Sequence, residues 1–272
     1  MGLRVNTNVA SLTAQRNLAS VTGRLQGNFA RLSSGLRIAT ASDDAAGLGI
    51  SERMRSQIRS YAVAGRNAQD GVSLTQTAEG SLQEVSNNLN RMRELAVQAA
   101  NGTLTTTDRA TIDAEFQELV AEIDRVSGDT SFNGLNLLDG STASIDLQVG
   151  TDAGDTITVT MVDSTAATLG IDALDVTTAA NASTALAAID TAIDGVSTGR
   201  GTLGAAQNRL NSAIASIANT RENLSAAESR IRDVDVAAET ADLTRNTILQ
   251  QAAVSVLAQA NVQPQLALNL LG

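Results

Sequence analysis

A seven-residue repeat of apolar residues constrains the fold of this chain most strongly. Small residues stand three positions after successive members of the repeat, at Ala206, Ala213, Thr220 and Ala227. This is the a/d pattern of a coiled-coil seam, and the small residues allow a partner helix to approach closely. The pattern predicts a long helix in a coiled coil or tight bundle, with a rod seam at Leu203, Leu210, Ile217, Leu224 and Ile231.

The composition also favours helical rods over a compact globule. Of the 272 residues 43% are hydrophobic, yet only 1% are aromatic, so branched aliphatic and Ala side chains must form the core. Compact globules usually depend on aromatic residues for buried area. The single proline, Pro264, leaves the preceding chain free to form long unbroken helices.

Both ends of the chain carry apolar residues typical of helical arms. The spacing alternates mostly between three and four residues near the N-terminus, as in a narrow helical seam. We expect the two arms to bury these residues against neighbouring copies of the chain. This predicted self-assembly seam comprises Leu18, Val21, Leu25, Phe29, Leu32, Leu243, Leu249, Val254 and Leu257.

Two further helices are predicted between the N-terminal arm and the middle of the chain. Gly35 ends the arm, and Ser42 is the predicted N-cap of a helix that ends near Asn101-Gly102. A third helix is expected over about 107–128, turning back along the second. Three glycines are expected to loosen or bend the first half of the second helix: Gly65, Gly71 and Gly80.

The middle of the chain changes to a period of two. The stretches SIDLQVG and TITVTMV alternate apolar and polar residues around a turn at 152–155, which predicts a β-hairpin. Asn133-Gly134 and Asp139-Gly140 are turn dipeptides. The predicted fold is therefore mainly α: a long antiparallel helical bundle or coiled coil formed by the N- and C-terminal segments, with a small β-hairpin insertion.

The same periodicities predict a division of the chain into three kinds of segment. Terminal coiled-coil arms cover 1–42 and 235–272, and a helical rod domain covers 43–130 and 185–234. An acidic hairpin and loop insertion covers 131–184 and is expected at the outer surface.

All of the net charge of −10 lies in the middle of the chain. Residues 126–199 contain ten acidic residues and no basic residue, whereas both flanking segments contain equal numbers of each. Balanced arms can pack against copies of themselves, while an acidic segment repels its copies and favours water. The charge pattern predicts a subunit whose ends meet inside an assembly and whose middle faces outwards.

The residue inventory excludes most catalytic chemistry. The chain has no Cys, His or Lys, which removes thiol nucleophiles, imidazole acid–base catalysis, Schiff bases and nitrogen or sulfur metal ligands. We expect no catalytic, cofactor-binding or metal-binding residues. The acidic balance disfavours nucleic acid, and no apolar run approaches the ~20 residues of a membrane span.

The N-terminus lacks the basic and apolar regions of a secretory signal peptide. If the protein is extracellular, we expect export without a cleaved signal. Two other function classes stay open at this point. One is a signalling hairpin with neutral Ala-rich heptads, although it would need a membrane anchor or a sensory domain. The other is an enzyme with a carboxylate-only site in the hairpin.

Eight collinear segments resemble bacterial flagellin, the subunit of the flagellar filament. They span nearly the whole chain in the order of that family. The segments are RVNTNVASL (4–12), RLSSGLRI (31–38), DDAAGLGI (43–50), NAQDGVSLTQTAEG (67–80), NLNRMRELAVQAANG (88–102), EIDRVS (122–127), FNGLNLL (132–138) and ILQQAAVSVLAQAN (248–261).

The resemblance implies a short flagellin without large variable outer domains. Its arms would line the filament core, its helices and hairpin would form the surrounding tube, and the homopolymer would transmit motor torque for motility. Implied partners are copies of the chain, the flagellar cap, hook–filament junction proteins and an export chaperone, with type III export to the cell exterior. The alternative is a hook–filament junction protein, which shares the arms and the export route.

The resemblance also implies a surface that an innate immune receptor of the Toll-like class recognises. Arg91, Leu95 and Glu115 stand at the matching positions of this chain. The receptor of a host is therefore a further expected partner.

Overall fold

The computed structural model describes residues 7–269, so the outermost residues of both predicted arms lie outside it. Within this range the chain is mainly helical, as predicted. The helices are α1 (Val9–Ser34), α2 (Ala45–Ala99), α3 (Thr106–Asp129), α4 (Ala166–Leu169), α5 (Ala179–Arg232) and α6 (Val236–Asn269). The strands are β1 (Ser131–Phe132), β2 (Leu135–Asn136), β3 (Ser144–Gln148) and β4 (Thr156–Thr160).

The chain divides into two compact units, each with its own internal packing. The arm unit comprises residues 1–56 and 223–272, and the rod unit comprises residues 57–222. The predicted arms belong to the first unit and the predicted hairpin belongs to the second. The assignment of segments to layers of an assembly stays a prediction.

In the arm unit, α1 and α6 pack side by side in opposite directions. The Asn8 amide donates to the Ala260 carbonyl at 2.7 Å, while the Asn28 amide reaches Glu239 at the other end of α6. The Asn8 side chain also accepts from the backbone N–H of Ser11 and so caps α1. The antiparallel pairing of the two terminal segments is therefore confirmed.

The predicted break at Gly35 is confirmed, whereas the predicted N-cap at Ser42 is wrong. Gly35 has a φ of 71° and ends α1 in the left-handed conformation that glycine adopts without strain. The side chain of Asp44, not Ser42, accepts from the backbone N–H of Gly47 at the start of α2. Asp43 instead binds the backbone N–H of Thr40, because the chain turns there before the helix begins.

The segments that join α1 to α2 and α5 to α6 are held together by backbone hydrogen bonds. The N–H of Arg37 donates to the Arg232 carbonyl at 2.7 Å, and the N–H of Val234 donates to the Gly35 carbonyl at 3.0 Å. Arg232 is buried and donates to Glu52 at 2.6 Å. These contacts join the N-terminal and C-terminal parts of the arm unit, in addition to the pairing of α1 with α6.

In the rod unit, residues of α2, α3 and α5 form one hydrophobic core. The largest fully buried side chains of the three helices include Leu89, Phe116 and Ile189. Arg93 of α2 pairs with Asp190 of α5 at 2.6 Å, and Glu79 pairs with Arg200 at 2.7 Å. The two pairs show that α2 and α5 run antiparallel.

The predicted β-hairpin is confirmed, with β3 and β4 antiparallel. Ile145 pairs with Val159 and Leu147 pairs with Ile157. Ile157 and Val159 are buried while the intervening threonines of β4 are exposed, so one face covers the core. A second, two-residue hairpin joins β1 to β2 through the predicted Asn133-Gly134 turn, with φ of 49° and 79°.

Gly71 of α2 has a packing role that the sequence pattern does not indicate. The helix runs unbroken through Gly65, Gly71 and Gly80. Gly71 is buried where Leu147 of β3 and Leu210 of α5 meet the helix, so a Cβ atom there would overlap Leu147. At this position glycine allows a close approach of the hairpin.

Candidate self-assembly surfaces

The inner face of the arm unit follows a heptad pattern on both helices. Positions on α1 and α6 alternate in steps of three and four residues, and all of them are buried or half-buried. The face consists of Ser11, Ala14, Leu18, Val21, Leu25, Asn28 and Leu32 on α1, and of Glu239, Leu243, Asn246, Gln250, Ala253, Leu257 and Ala260 on α6.

The structure splits the predicted self-assembly seam between two faces. Leu18, Val21, Leu25, Leu32, Leu243 and Leu257 belong to the inner face. Phe29, Leu249 and Val254 lie outside this face and are 59%, 42% and 52% exposed, so the burial of these three side chains against neighbouring copies stays a prediction. After Leu25, the next buried residue of α1 is Asn28 rather than Phe29. Because Asn28 is polar, a search for apolar spacing in the sequence passes over it.

Exposed large apolar side chains concentrate on the arm unit. Among the described residues, only Val63, Val97 and Leu135 of the rod unit belong to this class. Contiguous exposed apolar surface marks sites of protein association. The arm unit contributes Val9, Leu12, Phe29, Ile50, Val236, Ile248, Leu249, Val254, Val256 and Val262, and this set is called the outer apolar set.

Part of the outer apolar set lines a groove between α1 and α6. Leu249 and Val256 of α6 face Ala14 and Val21 of α1 across a cavity of about 370 Å³. Val9 and Leu12 lie on another face of α1 together with Ala19. The arm unit therefore presents apolar surface in more than one direction.

The rod seam is buried only in its first three members. Leu203 and Leu210 belong to the core of the rod unit, and Ile217 is also buried. Leu224 and Ile231, which belong to the arm unit, are half-buried. The repeat thus continues across the division between the units, although burial decreases along it.

Two of the three residues of the predicted receptor surface are exposed, and the third is not. Arg91 donates to Glu115 at 2.7 Å and to Glu94 at 2.9 Å, and these hydrogen bonds raise the pKa of Arg91. Leu95 is only 2% exposed and belongs to the core of the rod unit. The prediction of Leu95 as a surface residue is wrong, because it lies on the inward face of α2.

Several carboxylates of the rod unit are held ionised by local hydrogen bonds. Hydrogen bonds from Ser141 and Asn136 lower the pKa of Asp139, and those from Asn181 and Thr177 lower the pKa of Asp175. Arg93 lowers the pKa of Asp190 in the same way. Asp139, Asp175 and Asp190 consequently stay ionised at a lower pH than free aspartates do.

Within residues 7–269, no helix is long and apolar enough to cross a membrane. The described side chains also contain no group of three or more potential metal ligands.

Two family models match the chain over most of its length. The bacterial flagellin N-terminal helical region matches residues 5–143, and the bacterial flagellin C-terminal helical region matches residues 186–271. The chain belongs to the flagellin family. The two matched segments contain α1, α2, α3 and α6 and most of α5.

Individual relatives agree with the family models. A flagellin of Halalkalibacterium halodurans is 50% identical over 269 residues, which cover 98% of this chain and 99% of the relative. The crystal structure of Bacillus cereus flagellin is 38% identical and covers 56% of this chain and 88% of its own, with a TM-score of 0.52. The similar lengths in the first comparison agree with the prediction of a short member of the family.

A structure described as a flagellar hook-associated protein, from Vibrio parahaemolyticus, shares the fold. It covers 70% of this chain and all of its own, with a TM-score of 0.59 and 18% identity. At this identity the likeness concerns the fold alone, so it gives no support for a junction function.

Proposed function

We propose that the chain is a structural subunit that assembles with copies of itself into the bacterial flagellar filament and transmits motor torque. The observation that carries this proposal is the concentration of the outer apolar set on the arm unit. Family membership supports it, because flagellins are structural proteins of that filament. No step of chemical catalysis belongs to this function.

The outer apolar set suits a polymer better than a closed dimer. Its members face outwards from both α1 and α6, and the groove between the helices is a separate site from the Val9 and Leu12 face. Contacts between two different faces of identical subunits are heterologous, and such contacts continue into a helical filament when the rotation does not close. Each contact gains about 25 cal/mol per Å² of apolar area that it buries.

The proposal assigns each segment a layer of the filament. The arms, 1–42 and 235–272, form the core; the helices of 43–130 and 185–234 surround it; and the insertion, 131–184, faces the solvent. The distribution of charge supports this order, since the ten acidic residues of 126–199 would repel their copies in a buried layer.

The finer proposals on partners and location follow from the same function. The subunit would leave the cell through the flagellar type III route, held by an export chaperone beforehand. It would then add to the extracellular filament between the junction proteins and the cap. A host Toll-like receptor is a further partner, for which the exposed Arg91 and Glu115 are the candidate contacts.

A hook–filament junction protein is the alternative, and electron microscopy separates the two functions. Purified full-length chain is incubated with increasing salt, with and without sheared filament seeds, and examined by negative staining. Long uniform filaments are expected for the filament subunit. Monomers or short oligomers that never elongate would overturn the proposal and favour the junction function.

A further inference from the structure

A group of buried polar side chains interrupts the apolar inner face of the arm unit. Asn28 of α1 and both Glu239 and Asn246 of α6 are less than 10% exposed. All three occupy heptad positions at which an apolar residue would be expected. Their burial therefore needs a reason other than hydrophobic stabilisation.

The three side chains satisfy one another across the two helices. The Asn28 amide N–H donates to Glu239 Oε1 at 2.5 Å, and the Asn246 amide N–H donates to Asn28 Oδ1 at 2.8 Å. Arg31 approaches the same Glu239 oxygen at 3.5 Å and offsets its charge. The amide N–H groups of Asn28 and Asn246 thus each find their acceptor on the opposite helix.

Apolar heptad contacts alone define the spacing of two helices but not their axial alignment. Where both positions are aliphatic, as at Ala260 and Ala253, a slide of α6 by one heptad replaces one aliphatic residue with another at little cost. The polar group changes this, because a slide of one heptad in either direction leaves Asn28 with only one of its two partners. An unpaired buried amide or carboxylate is costly to retain.

We propose that Asn28, Glu239 and Asn246 form a register lock that determines which residues of α1 meet which residues of α6. The lock selects one alignment and contributes little to the strength of pairing, since a buried polar group is often no more stabilising than apolar residues of similar volume. The alignment in turn decides which residues of α1 lie opposite members of the outer apolar set, such as Val21 opposite Leu249 in the groove. Only this last consequence rests on the proposed filament function.

The absence of cysteine from the chain allows a direct test by engineered disulfides. Ser11 Oγ donates to Asn261 Oδ1 at 2.7 Å, so S11C/N261C reports the native alignment. Val254 precedes Asn261 by one heptad, so S11C/V254C reports a slid alignment. Full-length chains carrying either pair are oxidised in solution, and helicity is followed by circular dichroism.

In the parent background, we expect the native pair to form the disulfide and the slid pair to form little. Adding Asn28→Leu, Glu239→Leu and Asn246→Leu should keep the helicity while most of the native disulfide is lost, with a gain of the slid one. Glu239→Gln retains an acceptor for the Asn28 amide and should keep the native disulfide. Gln250→Leu is the control, because Gln250 is a half-buried inner-face residue whose side chain makes no described hydrogen bond.

The contrary outcomes are equally definite. An unchanged native disulfide in the triple leucine chain would overturn the lock, as would an equal loss in the Gln250→Leu control. Loss of helicity in the triple leucine chain would also overturn it, since the group would then stabilise rather than align. A parent that forms no native disulfide would overturn the alignment itself. None of these results depends on filament growth, which is measured separately by electron microscopy.

Discussion

Leu147 of β3 packs directly over Gly71 of α2, so closely that a Cβ atom at Gly71 would overlap its side chain. Leu210 of α5 also borders this site, at 3.2 Å from that Cβ position. The contact joins the hairpin to two long helices of the rod unit. It also explains why an apparently disruptive glycine occurs within an unbroken helix.

The first prediction concerns this site. Gly71→Ala should lower the stability of the rod unit, because overpacking costs about 1–3 kcal/mol and exceeds the gain in helix propensity. Gly80→Ala is the matched control, since no atom beyond the adjoining backbone of its own helix lies within 4 Å of its Cβ position. The control should raise the melting temperature, because alanine is favoured over glycine in a helix by about 0.5–1 kcal/mol. Equal melting temperatures for the two variants would contradict the close contact.

The second prediction concerns the inner face of the arm unit. Leu257→Asp should weaken the pairing of α1 and α6 by about 1–3 kcal/mol, because it loses apolar burial and places a charge in the seam. Filament growth should then stop. Sedimentation after salt-induced polymerisation measures this, and filaments of normal length from the variant would count against the packing.

A third prediction distinguishes the outer apolar set from the inner face of the arm unit. Phe29 is 59% exposed, so Phe29→Gln should leave the α1–α6 pair and the S11C/N261C disulfide intact. The same variant should reduce the yield of filaments, because the aromatic ring is lost from a contact between subunits. Ser33→Gln introduces the same residue at an exposed polar position of α1 and should polymerise like the parent. Normal polymerisation of Phe29→Gln would exclude the ring from such a contact.

The fourth prediction uses pH. At the start of α3, Thr105 and Asp108 form a reciprocal capping box, and hydrogen bonds from the Thr105 side chain and backbone lower the pKa of Asp108 from 3.8. A lowered pKa in the folded state means that the contribution is complete above the unfolded value and is lost as pH falls through the folded one.

The difference in stability between the parent and Thr105→Ala should therefore be largest near neutral pH and decrease in acid. Thermal unfolding between about pH 2 and pH 7 measures this difference. Thr107→Ala, whose side chain makes no described hydrogen bond, should show no such dependence. A constant difference for Thr105→Ala across the range would contradict the role of the carboxylate.

The fifth prediction concerns the acidic segment, 126–199. If its charges repel between neighbours, added salt should ease assembly, since the screening length falls from about 30 Å at 0.01 M to about 8 Å at 0.15 M. Asp172→Asn with Asp194→Asn removes two exposed carboxylates that accept no described hydrogen bond, and this chain should need less salt. Glu118→Gln with Glu222→Gln makes the same change outside the segment and should have a smaller effect. Light scattering follows the growth, and assembly that weakens with salt would contradict the repulsion.

An effect of the proposed receptor surface on signalling can be distinguished from an effect on the stability of the fold. Arg91→Ala removes an exposed ion pair, so the melting temperature should change little while signalling in a receptor reporter assay falls. Leu95→Ala should cost about 2–5 kcal/mol, because it leaves a cavity in the core. An Arg91→Ala chain that signals like the parent would remove this residue from the surface.

The sequence by itself determined the class of fold and the family. The heptad at Leu203, Leu210 and Ile217 and the alternation of β4 are local periodicities, and each has one compatible secondary structure. The break at Gly35 and the turn at Asn133-Gly134 follow from backbone conformations that few residues adopt. Such signals depend only on neighbours in the chain, so they can be read before any packing is known.

The tertiary structure decided which side chains face inwards. Helical spacing predicts Phe29 in the seam, and the family resemblance implies that Leu95 lies at a recognition surface, yet Phe29 is exposed and Leu95 is buried. Asn28 occupies the inner face because Glu239 and Asn246, more than 200 residues away, satisfy its amide. Pairing across that distance leaves no local periodicity, and for the same reason the close approach at Gly71 could be recognised only from the folded hairpin.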